Sequence, residues 1–159
     1  MLKVDTRGMT SVFAGTCDKA YAGDGGPAIK ASFGLPHDIV IGNGILYFAD
    51  TQNAAARAID LKTGNITTIA GTGLKGYSGD GRPAKEAEFA FLVGLSLSPD
   101  NQRLYIADMS GGRVRMVTLA TGIVTAMAGN GTKGIPAEGA IALGSPLVPD
   151  SRDRECSPR

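Results

Sequence analysis

The stretch Gly23-Asp24-Gly25-Gly26-Pro27-Ala28 returns 56 residues later as Gly79-Asp80-Gly81-Arg82-Pro83-Ala84. A degraded third copy, Ala137-Glu138-Gly139, places Glu138 58 residues beyond Asp80. Self-similarity at a nearly fixed period restricts a chain to repeat architectures, in which each unit buries its apolar face against its neighbours. Every other reading of the sequence has to fit that period.

Between the copies lie short apolar runs separated by glycine turns. Thr10–Ala14, Ile66–Ala70 and Val124–Ala128 each follow a turn at Thr6-Arg7-Gly8, Lys62-Thr63-Gly64 or Ala120-Thr121-Gly122. Leu2–Asp5, Arg57–Asp60 and Val114–Val117 precede those turns, so each set reads as a hairpin of β-branched strands joined by a Gly-containing turn. Two further strands complete each unit. Pro36–Ile41 and Ile45–Asp50 flank Gly42-Asn43-Gly44, while Val93–Leu97 and Leu104–Asp108 flank a turn two residues longer, which lengthens the period from 56 to 58. Strict alternation in Leu95-Ser96-Leu97-Ser98 marks a strand with one buried face. A unit is therefore four short antiparallel strands plus a glycine-rich excursion. The second half of that excursion, Pro27–Phe33, reads as a short helix started by proline, with Asp24 placed to cap it and Ile29 and Phe33 on its packed face.

The residues that fill this frame resemble the NHL repeat. Leu35-Pro36-His37-Asp38-Ile39-Val40-Ile41, Leu46-Tyr47-Phe48-Ala49-Asp50-Thr51-Gln52-Asn53 and Arg57-Ala58-Ile59-Asp60 are similar to its three strand motifs. The linking Ala-Gly-Thr-Gly and Gly-Tyr-Ser-Gly-Asp-Gly stretches look like those of bacterial, often secreted, multi-repeat members. The resemblance implies an all-β fold of antiparallel four-stranded β-propeller blades, with short helical turns in the inter-blade loops. The expected organisation is a partial propeller over 1–147, with a half-blade at 2–14 and blades at 35–71 and 92–130, and a disordered tail at 148–159. Closed propellers use roughly four to eight blades. Two and a half blades are thus expected to be a fragment of a longer propeller, with a homodimer completing a ring and an open arc as the other arrangements. An extracytoplasmic or secreted location is implied by the resemblance alone, because Met1–Asp5 reads as a strand and not as a signal peptide.

The chemistry-bearing residues are few. His37, the single histidine, falls on the innermost-strand candidate, where related propeller enzymes place metal ligands. Val93 stands at the corresponding place one blade on, and a zinc site needs about three or four ligands. Asp24, Asp80 and Glu138 recur at one position in the inter-blade loops. They are weak binding candidates there, since a calcium site would need more acids than one per loop. Arg57 and Arg115 also recur, and a repeated Arg–Asp pair is expected as scaffold. Asp50 and Asp108 are expected to bond backbone N–H groups near the ends of their strands. Neither Gly71–Gly76 nor Gly129–Gly134 ends in the Gly-Lys-Ser/Thr of a phosphate loop. Ser11, Ser78 and Ser96 lack a recurring histidine partner, and no nucleophile–base set follows from one histidine. No catalytic residue, metal site or cofactor is expected.

Charge narrows the partners. Sixteen basic and 15 acidic residues are interspersed for a net charge of +1, which gives no basic stripe for a nucleic-acid backbone. No apolar run approaches the roughly 20 residues that span a bilayer as a helix. Cys17 and Cys156 sit in unlike contexts and are read as unpaired thiols. The expected function is a non-catalytic interaction or ligand-binding scaffold, with a protein, glycan or surface polymer as partner. The alternative is a piece of an amidating-lyase-like or gluconolactonase-like propeller enzyme whose metal ligands lie in other blades.

Overall fold

The computed structural model describes residues 1–147, so the tail expectation and Cys156 lie outside the described residues. Ten strands form three antiparallel sheets. A hairpin pairs β1 (Leu2–Val4) with β2 (Thr10–Val12). The first blade runs β3 (Pro36–Gly42), β4 (Ile45–Asp50), β5 (Ala55–Asp60) and β6 (Ile66–Ala70), and the second runs β7 (Leu92–Leu97), β8 (Arg103–Asp108), β9 (Arg113–Thr118) and β10 (Ile123–Ala128). Each is a meander with strands adjacent in chain order, and β3 of one blade lies against β7 of the next. This is the all-β blade arrangement of a β-propeller.

The two-residue side-chain period of a strand gives blade one two working faces. Leu46, Phe48, Ile59 and Ile66 pack toward the preceding hairpin, with Ala14, Phe13 and Phe33. Tyr47, Ala49, Ala56 and Ala58 face blade two, whose Leu104, Ile106, Val117 and Val124 fill the space between. Small residues on one wall and large ones on the other let the sheets approach closely at native packing density.

Turns follow local chemistry. Asp60 Oδ1 accepts the backbone N–H groups of Lys62 and Thr63 at 2.8 and 2.9 Å, and Gly64 supplies the positive φ of 75° that closes the hairpin. The inter-blade excursion differs from the expected helix. Ala28–Lys30 and Ala84–Glu86 are single 3-10 turns without a side-chain cap. With three residues there is no helical face, so Ala28 and Ala31 are buried while Ile29 is exposed. Phe33 alone of the expected pair packs inward, edge-on to Phe48 with ring centroids 5.1 Å apart.

The excursions also cover strand edges. The Gly25 N–H donates to the Ile66 carbonyl at 2.8 Å, the Ile66 N–H to Gly26 at 2.9 Å, and the Ala28 N–H to Gly64 at 2.8 Å. Gly81, Arg82 and Ala84 repeat this against Val124 and Gly122. Each loop thereby pairs with the outermost strand of the blade that follows it, which supplies partners to an edge that would otherwise be open.

Candidate functional site

The repeated acids stand at the junction of loop and blade. Asp24 Oδ1 accepts from Arg57 Nη2 at 2.8 Å and its Oδ2 from the Thr68 N–H at 3.0 Å. Arg57 is fully buried; it also donates to Asp50 Oδ2 at 3.3 Å and to the Ala22 carbonyl at 3.3 Å. One blade on, Arg115 Nε reaches Asp80 Oδ1 at 2.9 Å, while its Nη1 and Nη2 donate to the Glu88 and Ser78 carbonyls at 2.8 and 2.7 Å. The planar fork of arginine serves three acceptors at once, which an ammonium cannot do. The expected helix cap at Asp24 is thus corrected. Its carboxylate turns away from the 3-10 turn because a buried guanidinium on the third strand is a stronger partner than a short turn's N–H groups.

Aromatic side chains complete both stations. The Arg57 guanidinium lies 5.1 Å from the Tyr21 ring centroid, and the Tyr21 hydroxyl contacts Thr68 Oγ1 at 2.9 Å. Tyr77, at the equivalent place, stacks under Arg113 at 3.6 Å and Arg115 at 5.2 Å, and Phe89 lies 4.5 Å from Arg115. The Tyr77 hydroxyl donates to Asp80 Oδ2. That bond, then burial and the nearby carboxylate charge, raises the phenol pKa above its ordinary value. Tyr21 and Tyr77 were legible as a repeated pair at the same 56-residue spacing, each three residues before the acid.

Asp50 is fully buried and holds the Gly34 N–H at 2.7 Å, the Asn53 amide and Arg57. Burial pushes its pKa up, against the hydrogen bonds and the arginine that pull it down. Asp108 accepts the Ala90 and Phe91 N–H groups at 2.8 Å and that of Gly111 at 3.0 Å. Only the Gly111 bond is local; the others tie the strand end to the entry of the blade.

His37 lies at the β3 irregularity between Pro36 and Ile39, exposed, with its ring 6.0 Å from Phe91 in an edge-on contact. Its neighbour Asp38 reaches across to the inner strand of blade two, where Oδ2 accepts the Leu95 N–H at 2.7 Å. Asp24, Asp80 and His37 are therefore at three separate places, and Glu138 is exposed on a fourth. Among the described residues no three His, Cys, Asp or Glu side chains gather at ligand distance. Asp24 presents its oxygens to a guanidinium and an amide N–H, and Asp80 to a guanidinium and a phenol hydroxyl, donors in the place a cation would take. Chemically, the stations are clamps that fasten each loop to its blade.

No family model matches the sequence. The chain is 40% identical over 52 residues to NHL repeat-containing protein 2 of Gallus gallus, and 33% identical over 81 residues to the Bos taurus protein of that name. Those alignments cover 33% and 51% of this chain and 7% and 11% of the relatives. The chain carries repeats similar to those of NHL-repeat β-propellers. It matches only about a tenth of the length of these NHL relatives. Two solved structures from Bacteroides thetaiotaomicron share the fold of this NHL chain. A structural genomics protein of unknown function gives a TM-score of 0.67 at 17% identity, over 90% of this chain and 33% of the other. An auxiliary nutrient binding protein gives 0.60 at 22% identity, over 85% and 33%.

Proposed function

We propose that this NHL chain is a non-catalytic interaction scaffold, whose partner is a protein, a glycan or a surface polymer. The observation that carries this reading is how the repeat uses its ionisable groups. Asp24, Asp50, Asp80, Arg57 and Arg115 are engaged with one another and with backbone groups. Acids and bases held in such pairs fix geometry and have no free valence for proton transfer or metal binding. Exposed apolar and aromatic residues, Tyr21, Ile39, Tyr77 and Met109 among them, stand on a rigid sheet framework, where recognition commonly resides. The description of one structural neighbour as an auxiliary nutrient binding protein agrees with a ligand-binding role, and a shared fold by itself does not assign one.

The competing reading is a propeller-enzyme segment, and the observation in its favour is His37, exposed on an inner strand beside Phe91. Metal analysis of the purified chain separates the two. Scaffold function predicts no stoichiometric zinc or calcium and unchanged metal content in His37→Ala and Asp80→Ala. Stoichiometric metal that is lost in either variant overturns it. Binding to immobilised polysaccharide and protein panels, with His37→Ala and Tyr77→Ala as probes of the two surfaces, then identifies the partner class.

A further inference from the structure

Tyr47 carries a hydroxyl that the fold leaves unused. It stands on β4 opposite Val40 of β3 and Ala58 of β5, in the apolar face that packs against blade two. The residue is only 7% exposed, and its hydroxyl has no hydrogen-bond partner among the described residues. Burial alone raises the phenol pKa, with no part played by a hydrogen bond or a neighbouring charge. A tyrosine buried this far ordinarily finds a partner for its O–H, as Tyr21 and Tyr77 do at Thr68 and Asp80. Tyr47 instead lines a cleft of about 390 Å³ between the two blades, where Leu119, just past β9, faces the β4–β5–β6 corner of blade one.

The groups around that hydroxyl are also largely free of duties within the chain. Asp60 closes its turn through Oδ1 alone, which leaves Oδ2 without a bond. The Asn65 amide and the Thr67 hydroxyl line the same cleft, exposed and unpaired among the described residues. Ile45, Ile69 and Leu119, all partly buried, give it an aliphatic flank. The repeat does not require this set. One blade on, the places of Ile45, Asp60 and Asn65 are held by Arg103, Thr118 and Ile123, in the same pairing. Tyr105 does repeat Tyr47, but on the uncovered wall of blade two, where it is half-buried. The lining of the cleft is therefore particular to blade one.

We propose that this cleft binds a neutral pyranose residue, free or at the end of a glycan. The inference rests on the scaffold reading and narrows its partner to a sugar at a stated place. A pyranose carries a rim of hydroxyls around faces of C–H. The rim suits a phenol, an amide, a hydroxyl and a carboxylate, which together donate and accept, and the C–H faces suit Ile45, Ile69 and Leu119. No lysine, arginine or histidine lines the cleft. A phosphate, a sulfate or an acidic sugar would therefore find no counter-charge there and would meet the Asp60 carboxylate instead. The volume lies toward the small end of ligand clefts, about 300–1,000 Å³, and suits one ring. Tyr47 is the most buried polar residue of the set, and a bond made to its hydroxyl displaces none that folding had formed.

The test titrates the full chain with methyl β-D-glucopyranoside, methyl α-D-mannopyranoside and methyl β-D-galactopyranoside, followed by backbone amide NMR shifts. At least one is expected to saturate in the millimolar range and to move the amides of Ile45, Tyr47, Asn65 and Thr67. Tyr47→Phe should weaken that binding about five- to tenfold and leave the urea midpoint in place or raise it, since no bond within the chain is lost. Asn65→Ile, which installs the residue blade two carries there, should weaken binding as well, and Tyr105→Phe should not change it. Absence of saturation by all three sugars up to about 100 mM overturns the proposal. So does binding that ignores both Tyr47→Phe and Asn65→Ile, and so does a Tyr47→Phe chain that unfolds at lower urea, because the hydroxyl would then serve the fold. Saturation by n-butylammonium alone, lost in Asp60→Asn, replaces the sugar with a cation and overturns it too. A trisaccharide of the bound hexose that binds more tightly than the hexoside supports the site with a glycan end as occupant, and equal affinity supports it with a free sugar. Stoichiometric metal would defeat the scaffold reading without removing the Tyr47-dependent shifts, while failure of the sugars leaves that reading its protein and polymer partners. The two failures are thus distinguishable.

Discussion

Replacing Arg115 by alanine tests whether the loop-to-blade clamps hold the fold. The guanidinium is completely buried and makes one ion pair, with Asp80, at 2.9 Å. It also satisfies the Ser78 and Glu88 carbonyls at 2.7 and 2.8 Å and lies over the Phe89 ring at 4.5 Å. Alanine leaves those carbonyls without their donor, each at a cost of about 1–3 kcal/mol where water cannot enter, and removes a cation–π contact of about 1–2 kcal/mol. Breaking a buried pair from one side generally costs about 3–5 kcal/mol. The lower half of that range applies here, because the Asp80 side chain keeps 29% of its exposure and recovers solvation. Urea unfolding of Arg115→Ala is therefore expected to lose about 3–4 kcal/mol of stability. Arg115→Lys, which keeps the charge and loses the fork, is expected to recover about half of that loss at most. A control at Arg7→Ala, whose partner Asp5 is on the surface, leaves the midpoint in place. An Arg115→Ala variant within about 1 kcal/mol of the parent would refute the clamp as a stabilising device.

Three further outcomes follow from the same geometry. Gly71 adopts a φ of 100°, and a Cβ there would meet the Ala54 carbonyl and lie 2.8 Å from Ala55 Cα; Gly71→Ala should cost about 3 kcal/mol or more in urea unfolding. By contrast Gly64→Ala, in open space at φ 75°, should cost about 1–2 kcal/mol. Thr51→Val removes the hydroxyl that bonds Leu92 between blades and should lower stability by about 1–2 kcal/mol, with faster hydrogen exchange at the entry to blade two. The Thr63 and Lys62 N–H groups hold the Asp60 pKa below the ordinary aspartate range. Its contribution is complete above the unfolded-chain value and is lost as the pH falls through the folded-state one. Buried Asp50, shifted upward mainly by burial, acts in the opposite sense and favours the folded chain as acid protonates it. The urea midpoint of Asp60→Asn should therefore fall less steeply with acidification than that of the parent, and parallel curves would contradict the assignment.

The blades were legible because each strand carries its own two-residue period and each turn its own glycine, so local residues encode local structure. The acid–arginine stations were legible only in outline. Asp24 and Arg57 recur together at the repeat spacing, but 33 residues separate the partners, and nothing local to Asp24 distinguishes a clamp from a cap. The turn after Pro27 misled for a related reason. Ile29 and Phe33 have helical spacing, yet Ala28, held to the Gly64 carbonyl of a distant strand end, fixes which side faces inward. The exposed wall of blade two was not legible at all. Val114 and Ala56 occupy equivalent places, and only the neighbour's presence or absence decides their burial.

Because each glycine-rich loop seals the outer edge of the blade after it, the unit of inheritance is not the sheet. A segment cut cleanly around four strands would leave its own outermost edge unpaired and its third-strand arginine without an acid. A segment beginning at Gly15 or Gly71 instead carries edge cover, acid and arginine together. Duplication, deletion or grafting in such a chain is expected to proceed in frames that start at those glycines, out of phase with the blades themselves.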